Sequence, residues 1–253
     1  MRILLTNDDG FEAPGIIAMA KALAPLGEVT VIAPDGGRSS CSSALSLRTP
    51  VHLEKREGYG EGIEVISCSG TTADCAKLGL EYWMKDCLPD LIISGINEGY
   101  NVGSDCLYSG TVAGAMEGSF FQIPAMAVSA GTTKEPELLE RCAAFSVKVV
   151  KKYFMEHHYQ GILNLNLPKD MSRLHEEALR VVPMVLERYE NAVQELDHSE
   201  NGVTVYISGK ALPSEDEDSD VYWIHQGYPT LTPISWNQTD RERLAIVKKI
   251  SEQ

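Results

Sequence analysis

Short apolar runs alternate with stretches of helical periodicity along the first 170 residues. Runs of strand length lie at 2–6, 29–33, 91–94 and 124–129, and such runs are typical of buried strands in a parallel sheet. Between the first two, Ile16, Ala20 and Leu23 recur at helical spacing, which predicts an amphipathic helix. The pattern therefore predicts an α/β fold, a Rossmann-like, mainly parallel sheet with helices on both faces.

Two further segments of this first part have distinct patterns. Residues 45–67 alternate weakly around a polar stretch, which predicts a hairpin. Residues 161–168 alternate with period two, so we expect this strand to be half exposed or at an edge of the sheet.

A long helix should follow Thr133 as its cap, with Pro136 in its first turn.

The pattern changes near residue 180. The stretches 180–190, 203–208 and 221–226 have strand character and are separated by polar loops rather than long helices. We therefore expect a Rossmann-like core over 1–180 and a β-rich, antiparallel C-terminal extension over 181–253 that joins subunits. The acidic run at 215–218 is expected to be a solvated loop.

Net charge and the length of the apolar runs limit the classes of molecule that this protein is expected to bind. The chain has 253 residues with 36 acidic and 22 basic side chains, a net charge of −14, and such a surface repels a nucleic-acid backbone. The sequence contains no apolar run long enough for a membrane span and no signal-peptide pattern. We expect a cytoplasmic protein that contacts neither nucleic-acid polymers nor membranes.

Cysteine and histidine give no sign of a soft metal site. No two of the six cysteines are spaced as CxxC, and the six histidines are isolated or directly adjacent. Reduced thiols and ordinary packing or surface histidines are therefore expected rather than zinc ligands.

The candidate chemistry begins after the first strand, with Asn-Asp-Asp-Gly at 7–10. Asp8 and Asp9 would repel each other unless they are solvated, share a proton or face a cation. A metal ion is one interpretation. The other is a solvated turn in which Asp9 caps the next helix.

Two more loops should meet this turn, because neighbouring parallel strands end at the same edge of a sheet. The loop at 34–40 carries Ser39, although it could equally be an ordinary surface turn, and the glycine-rich loop after 91–94 carries Asn97 and Asn101. Aspartate, serine and asparagine form an all-oxygen set, which suits Mg²⁺ or Mn²⁺.

A Ser-Gly-Thr triplet at 109–111 precedes a predicted helix of small residues. Its hydroxyls and main-chain N–H groups meet the requirement for holding a phosphate or another oxyanion. An ordinary helix cap followed by a small-residue helix is the alternative.

Four motifs together resemble the SurE family of survival proteins: TNDDG at 6–10, APDGGRSS at 33–40, SGINEGYNVG at 94–103 and YSGTVAGAMEG at 108–118. LNLNLP at 163–168 and GYPTLTP at 227–233 extend the similarity. The resemblance implies a metal-dependent nucleotidase that removes phosphate from nucleoside 5′-monophosphates, with 3′-monophosphates and short polyphosphate as further candidate substrates. We expect a homodimer or homotetramer, assembled through the C-terminal extension.

The resemblance also implies roles for individual residues. One divalent ion per subunit, Mg²⁺ or Mn²⁺, would be held by Asp8, Asp9, Ser39 and Asn97. The substrate phosphate would be held by Asn101, Ser109, Gly110 and Thr111. The expected mechanism is attack by a metal-activated water, with Asp8 or Asp9 as acid or base; a phosphoaspartyl intermediate on Asp8 is the covalent alternative.

Two other function classes share part of this pattern. A receiver-like phosphoacceptor domain also carries acidic residues after its first strand and needs a lysine after a later one, where this chain has Lys134. A nucleotide- or phosphate-sensing module would bind the same ligand without turnover. A metal-dependent turnover assay separates the hydrolase from the sensing module.

Overall fold

The computed structural model describes residues 1–131, 135–187, 189–190 and 193–251. Its strands are β1 (Arg2–Thr6), β2 (Glu28–Pro34), β3 (Leu53–Arg56), β4 (Ile63–Cys68), β5 (Leu91–Glu98), β6 (Ala125–Ala130), β7 (Ile162–Leu167), β8 (Arg180–Val181), β9 (Tyr189–Glu190), β10 (Val193–Ser199), β11 (Gly202–Ile207), β12 (Lys210–Ala211) and β13 (Thr230–Ile234). Its α-helices are α1 (Pro14–Leu23), α2 (Thr72–Leu78), α3 (Gly110–Met116), α4 (Pro136–Val149), α5 (Asp220–His225) and α6 (Arg241–Ser251).

The central sheet contains nine strands in the order β3-β4-β2-β1-β5-β6-β7-β13-β8. The six strands from β4 to β7 are parallel, while β3 and β13 pair antiparallel with their neighbours β4 and β7. The chain moves outward from β1 to β2 and later resumes on the other side of β1 with β5. This reversal places a crevice at the carboxyl ends of β1 and β5, which is where open α/β sheets bind ligands.

Helices cover both faces of the sheet, as predicted. Ile3 and Leu5 of β1 pack on the face covered by α1 and α4, whereas Leu4 packs on the face covered by α2 and α3. Both faces of β1 are therefore buried, and this explains its uninterrupted apolar sequence. None of the described helices has the length and apolar character needed to cross a bilayer.

Two strand predictions were wrong, and a third, over 180–190, holds only at its two ends, as β8 and β9. β7 is fully buried between β6 and β13; its alternation comes from two buried asparagines rather than from an exposed face. Residues 220–225 form helix α5, because the Ser219 side chain caps it by accepting the Tyr222 N–H at 3.1 Å. The apolar and aromatic run at 221–224 is too short for its periodicity to distinguish strand from helix.

The C-terminal segment both joins the central sheet and extends beyond it. β13 lies between β7 and β8 in the central sheet, whereas β10 and β11 form a separate antiparallel ribbon in which every residue is exposed. The acidic run at 215–218 is an exposed loop, as predicted. The division of the chain at residue 180 stays a prediction.

The residue before α4 is Glu135, which makes no side-chain capping hydrogen bond. The predicted cap Thr133 and the receiver-type Lys134 lie outside the described residues.

Candidate active site

The turn after β1 is closed by its asparagine. The Asn7 side chain donates to the Gly10 carbonyl at 2.9 Å and accepts the Gly10 N–H at 3.1 Å. Asp9 does not cap the next helix, because α1 begins at Pro14, preceded by Ala13. The capping interpretation is therefore wrong, and the Asp9 carboxylate is left for another role.

The loop after β2 lies against this turn, as the sheet topology predicts. The Arg38 N–H donates to the Asp8 carbonyl at 2.7 Å, and the Phe11 N–H donates to the Pro34 carbonyl at 2.9 Å. These two main-chain bonds hold the segment that carries Ser39 beside Asp8.

A β-bulge near the end of β5 positions Asn97. Ser94 pairs with Ala127 of β6, and Asn97 pairs with Ser129, so β5 uses one more residue than β6 over this distance. The Asn97 Nδ2 donates to the Gly99 carbonyl at 3.0 Å, which leaves its oxygen for a ligand. The next residue, Glu98, donates its N–H to Asp9 Oδ2 at 3.3 Å.

The start of α3 contacts Asp8 directly. The Thr111 hydroxyl donates to Asp8 Oδ1, and both side chains are buried. A Cβ built on Gly110 would lie 3.0 Å from the Asp8 Cβ and 3.1 Å from Asp8 Oδ2, so a larger residue would displace the carboxylate. The Ser109 hydroxyl caps the helix by accepting the Val112 N–H at 3.1 Å.

A cavity of about 660 Å³ brings most of the predicted residues together. Five of them line it: Asp8, Ser39, Asn97, Asn101 and Ser109. Asp9, Gly110 and Thr111 are not among its lining residues. Tyr100, Asp105, Tyr108 and Ile207 form part of the remaining wall. The cavity thus joins three of the predicted metal ligands with two of the four predicted phosphate-binding residues, Asn101 and Ser109.

The two carboxylates carry uncompensated charge. Burial raises the pKa of Asp8, and hydrogen bonds from Thr111 oppose that rise. Burial and the neighbouring charge of Asp8 raise the pKa of Asp9 to about 6. No ion pair within the described ranges involves either carboxylate. A cation at this position would relieve both the burial and the repulsion.

The donor set fits a hard divalent ion. Among the described residues, no group of three or more His, Cys, Asp or Glu side chains could hold a metal. The cavity instead joins the Asp8 carboxylate with the neutral oxygens of Ser39 and Asn97, and Asp9 is the next residue after Asp8 in the turn. This oxygen chemistry suits Mg²⁺ or Mn²⁺ and disfavours zinc or copper.

Several residues of the site were missed by sequence reasoning. Asp220, fully buried, accepts the Gly103 N–H at 2.8 Å and so holds the loop after β5. Asn164 and Asn166 of β7, together with Ser129 of β6, bond to Asn101. Two asparagines within an otherwise apolar strand were a usable signal, because buried amides need partners. Asp220 gave no such signal.

Comparison with known proteins identifies the family. The family model described as "Survival protein SurE" matches residues 3–191, about three quarters of the chain. The chain belongs to the SurE family. A relative from Clostridium beijerinckii named 5′-nucleotidase SurE is 36% identical over 258 residues and covers 100% of both chains. A relative of the same name from Campylobacter lari is 37% identical, covering 98% of this chain and 97% of its own.

A solved structure agrees with the fold. The crystal structure of the SurE protein from Aquifex aeolicus superposes with a TM-score of 0.83 at 32% sequence identity, covering 99% of this chain and 100% of that one. The α/β sheet with its extra C-terminal strands is therefore shared with this SurE protein.

Proposed function

We propose that this protein is a metal-dependent 5′-nucleotidase that hydrolyses nucleoside 5′-monophosphates. The observation that carries the proposal is that one cavity is lined by Asp8, Ser39 and Asn97 and also by Asn101 and Ser109. A phosphate monoester needs both features, a site for a cation and neutral donors for its oxygens. The SurE relatives named 5′-nucleotidase support this choice of substrate.

Asp8, Asp9, Ser39 and Asn97 are proposed to hold one Mg²⁺ or Mn²⁺ ion per subunit. When bound, such an ion polarises a phosphoryl oxygen and lowers the pKa of a coordinated water. Thr111 supports this function indirectly, because its hydroxyl fixes the rotation of the Asp8 carboxylate. The contact of Thr111 with the phosphate stays a prediction beside this orienting role.

Asn101 and Ser109 are proposed to bind the phosphate, with Gly110 allowing the close approach of α3. Both side chains line the cavity, and a fixed amide and hydroxyl hold the phosphorus for in-line attack. Asp8 and Asp9 are the candidates for proton transfer. Direct attack by a water is the proposed route, and a phosphoaspartyl intermediate on Asp8, which lines the cavity, is the covalent alternative.

The substrate range is tested by phosphate release from a panel of 5′-monophosphates, 3′-monophosphates, short polyphosphate and para-nitrophenyl phosphate, each with Mg²⁺, Mn²⁺ or EDTA. We expect metal-dependent release that is fastest with 5′-monophosphates. Binding of nucleotide without release under any condition would instead establish a sensing module and overturn the proposal.

The C-terminal segment is proposed to assemble the protein as a homodimer or homotetramer. Five large apolar side chains of the β10–β11 ribbon are exposed: Val193, Leu196, Val203, Val205 and Ile207. None of the residues of α6 is buried, although Leu244, Val247 and Ile250 form an apolar stripe. A two-stranded ribbon is marginally stable alone, and exposed apolar clusters of this kind mark protein interfaces.

Light scattering after size-exclusion chromatography tests this assembly. We expect two or four chains per particle for the full chain, and a smaller particle when Val205 and Ile207 are both replaced by Asp. The matched control replaces exposed Glu195 and Asp197 of the same ribbon by Gln and Asn. A monomeric wild-type protein would contradict the assembly without affecting the enzymatic proposal.

A further inference from the structure

The buried strand β7 carries two polar side chains, and both are directed to the same residue. Asn164 and Asn166 are 0% and 1% exposed, and the other positions of β7 are Ile162, Leu163, Leu165 and Leu167. Burying an amide is unfavourable unless its groups find hydrogen-bond partners. The partners therefore show what these asparagines do.

Both main-chain polar groups of Asn101 are held by these side chains. Asn166 accepts the Asn101 N–H at 2.8 Å through Oδ1 and donates to the Asn101 carbonyl at 3.0 Å through Nδ2. Asn164 donates to the same carbonyl at 2.7 Å. Asn101, a loop residue 63 and 65 positions before these two asparagines, is thus fixed to a buried strand of the sheet.

The Asn101 side chain is held from a third direction. Its Nδ2 donates to Ser129 Oγ at 2.7 Å, and Ser129 lies on β6 between Asn97 of β5 and Asn166 of β7. This bond sets the rotation of the amide. A primary amide has two N–H donors, so one remains for a ligand in the cavity that Asn101 lines.

We propose that Ser129, Asn164 and Asn166 are positioning residues that orient the Asn101 amide toward a phosphate oxygen. The inference rests on the proposed function and deepens it, because it explains how a residue in a loop acquires the fixed geometry that phosphate binding requires. Displacing a substrate-orienting group by a fraction of an ångström weakens binding and turnover. The three residues bond to Asn101 and are not among the residues that line the cavity.

Ser129→Ala is the principal test, because it removes one hydroxyl with little change of volume. We expect KM for a nucleoside 5′-monophosphate to rise by about three- to tenfold, with a smaller change in kcat, which corresponds to one lost hydrogen bond. Ser146→Ala is the matched control, since Ser146 is a buried serine of α4 whose hydroxyl donates to the Cys142 carbonyl at 2.8 Å. This control should leave KM unchanged.

A double-mutant cycle with Asn101→Ala separates positioning from a general structural effect. If Ser129 acts through the Asn101 side chain, Ser129→Ala should cause no further loss of kcat/KM in the Asn101→Ala background. Equal losses in both backgrounds would overturn the inference. Asn164→Leu, close in volume, removes one donor to the Asn101 carbonyl and should show the same coupling.

A binding measurement keeps the two proposals distinguishable. Calorimetric titration with inorganic phosphate in the presence of Mn²⁺ should show weaker binding to Ser129→Ala than to wild type, and equal binding to Ser146→Ala. Phosphate binding without any turnover would contradict the nucleotidase proposal. The difference in phosphate affinity between wild type and Ser129→Ala would then still test whether Ser129 positions Asn101. Unchanged phosphate affinity in Ser129→Ala, or no phosphate binding by the wild type, would overturn the inference.

Discussion

Asp9→Asn is expected to stabilise the metal-free protein at neutral pH while abolishing its response to divalent ions. Asp9 has a raised pKa of about 6 because of burial and the adjacent charge of Asp8. The folded state therefore binds the Asp9 proton more tightly than the unfolded chain does. Stability from this group is present at low pH and is lost as the pH rises from about 4 to about 6. Because the Asn side chain is neutral at every pH, Asp9→Asn removes this loss of folding stability.

The magnitude follows from the shift of the pKa. A rise from 3.8 to about 6 corresponds to a ceiling of about 3 kcal/mol at neutral pH. Because Asp9 is only half-buried, solvent screening reduces this contribution to about 1 kcal/mol. For a chain of this size, about 1 kcal/mol corresponds to an increase in Tm of about 2–4 °C.

Thermal unfolding in EDTA at pH 7.5 and pH 4 measures this effect. We expect Asp9→Asn to unfold at a higher temperature than wild type at pH 7.5 and at nearly the same temperature at pH 4. The control, Asp86→Asn, removes an exposed carboxylate outside the site and should change the Tm at neither pH. A Tm difference that is independent of pH, or a less stable variant at pH 7.5, would refute the electrostatic argument.

Three further variants test other contacts of the site. Thr111→Val removes the hydroxyl bonded to Asp8, so the pKa of Asp8 should rise and the acid limb of the kcat/KM profile should move to higher pH; an unmoved limb would contradict this role. Gly110→Ala places a methyl group 3.1 Å from Asp8 Oδ2 and should lower kcat/KM about tenfold or more. The control is Gly37→Ala, whose methyl group would have no atom within 4 Å and should leave kcat/KM unchanged. Asp220→Ala leaves a buried main-chain N–H unsatisfied and should lower the free energy of unfolding in urea by about 1–3 kcal/mol; equal midpoints would contradict it.

The parallel core of the fold could be predicted from sequence because its signals are local. The strand of residues 2–6 is apolar at successive positions since both of its faces are covered, and this pattern is visible without the structure. Asp8 and Ser39 follow β1 and β2, and Asn97 lies near the carboxyl end of β5. All three are therefore at the same edge of the sheet, and topology alone predicted their proximity. The cavity that they share with Asn101 confirms that part.

The remaining features depend on contacts that are distant in sequence. The alternation in β7 resembles that of an edge strand, but its asparagines satisfy a loop 63 and 65 residues away. Thr111 was assigned to the phosphate, and only the structure shows its hydroxyl bonded to Asp8. Asp220 was missed because its partner, the Gly103 N–H, lies 117 residues earlier. The sequence shows that these side chains are polar, but it does not show which distant groups they bond.

Release of inorganic phosphate from adenosine 5′-monophosphate, with Mg²⁺ or Mn²⁺ and then with excess EDTA, tests whether this cavity is a metal-dependent nucleotidase site. We predict turnover that requires the metal and falls by at least about a thousandfold in Asp8→Asn, while Asp86→Asn retains full activity. Turnover that persists in EDTA, or an Asp8→Asn variant as active as wild type, would contradict the assignment of this cavity as a metal-dependent nucleotidase site.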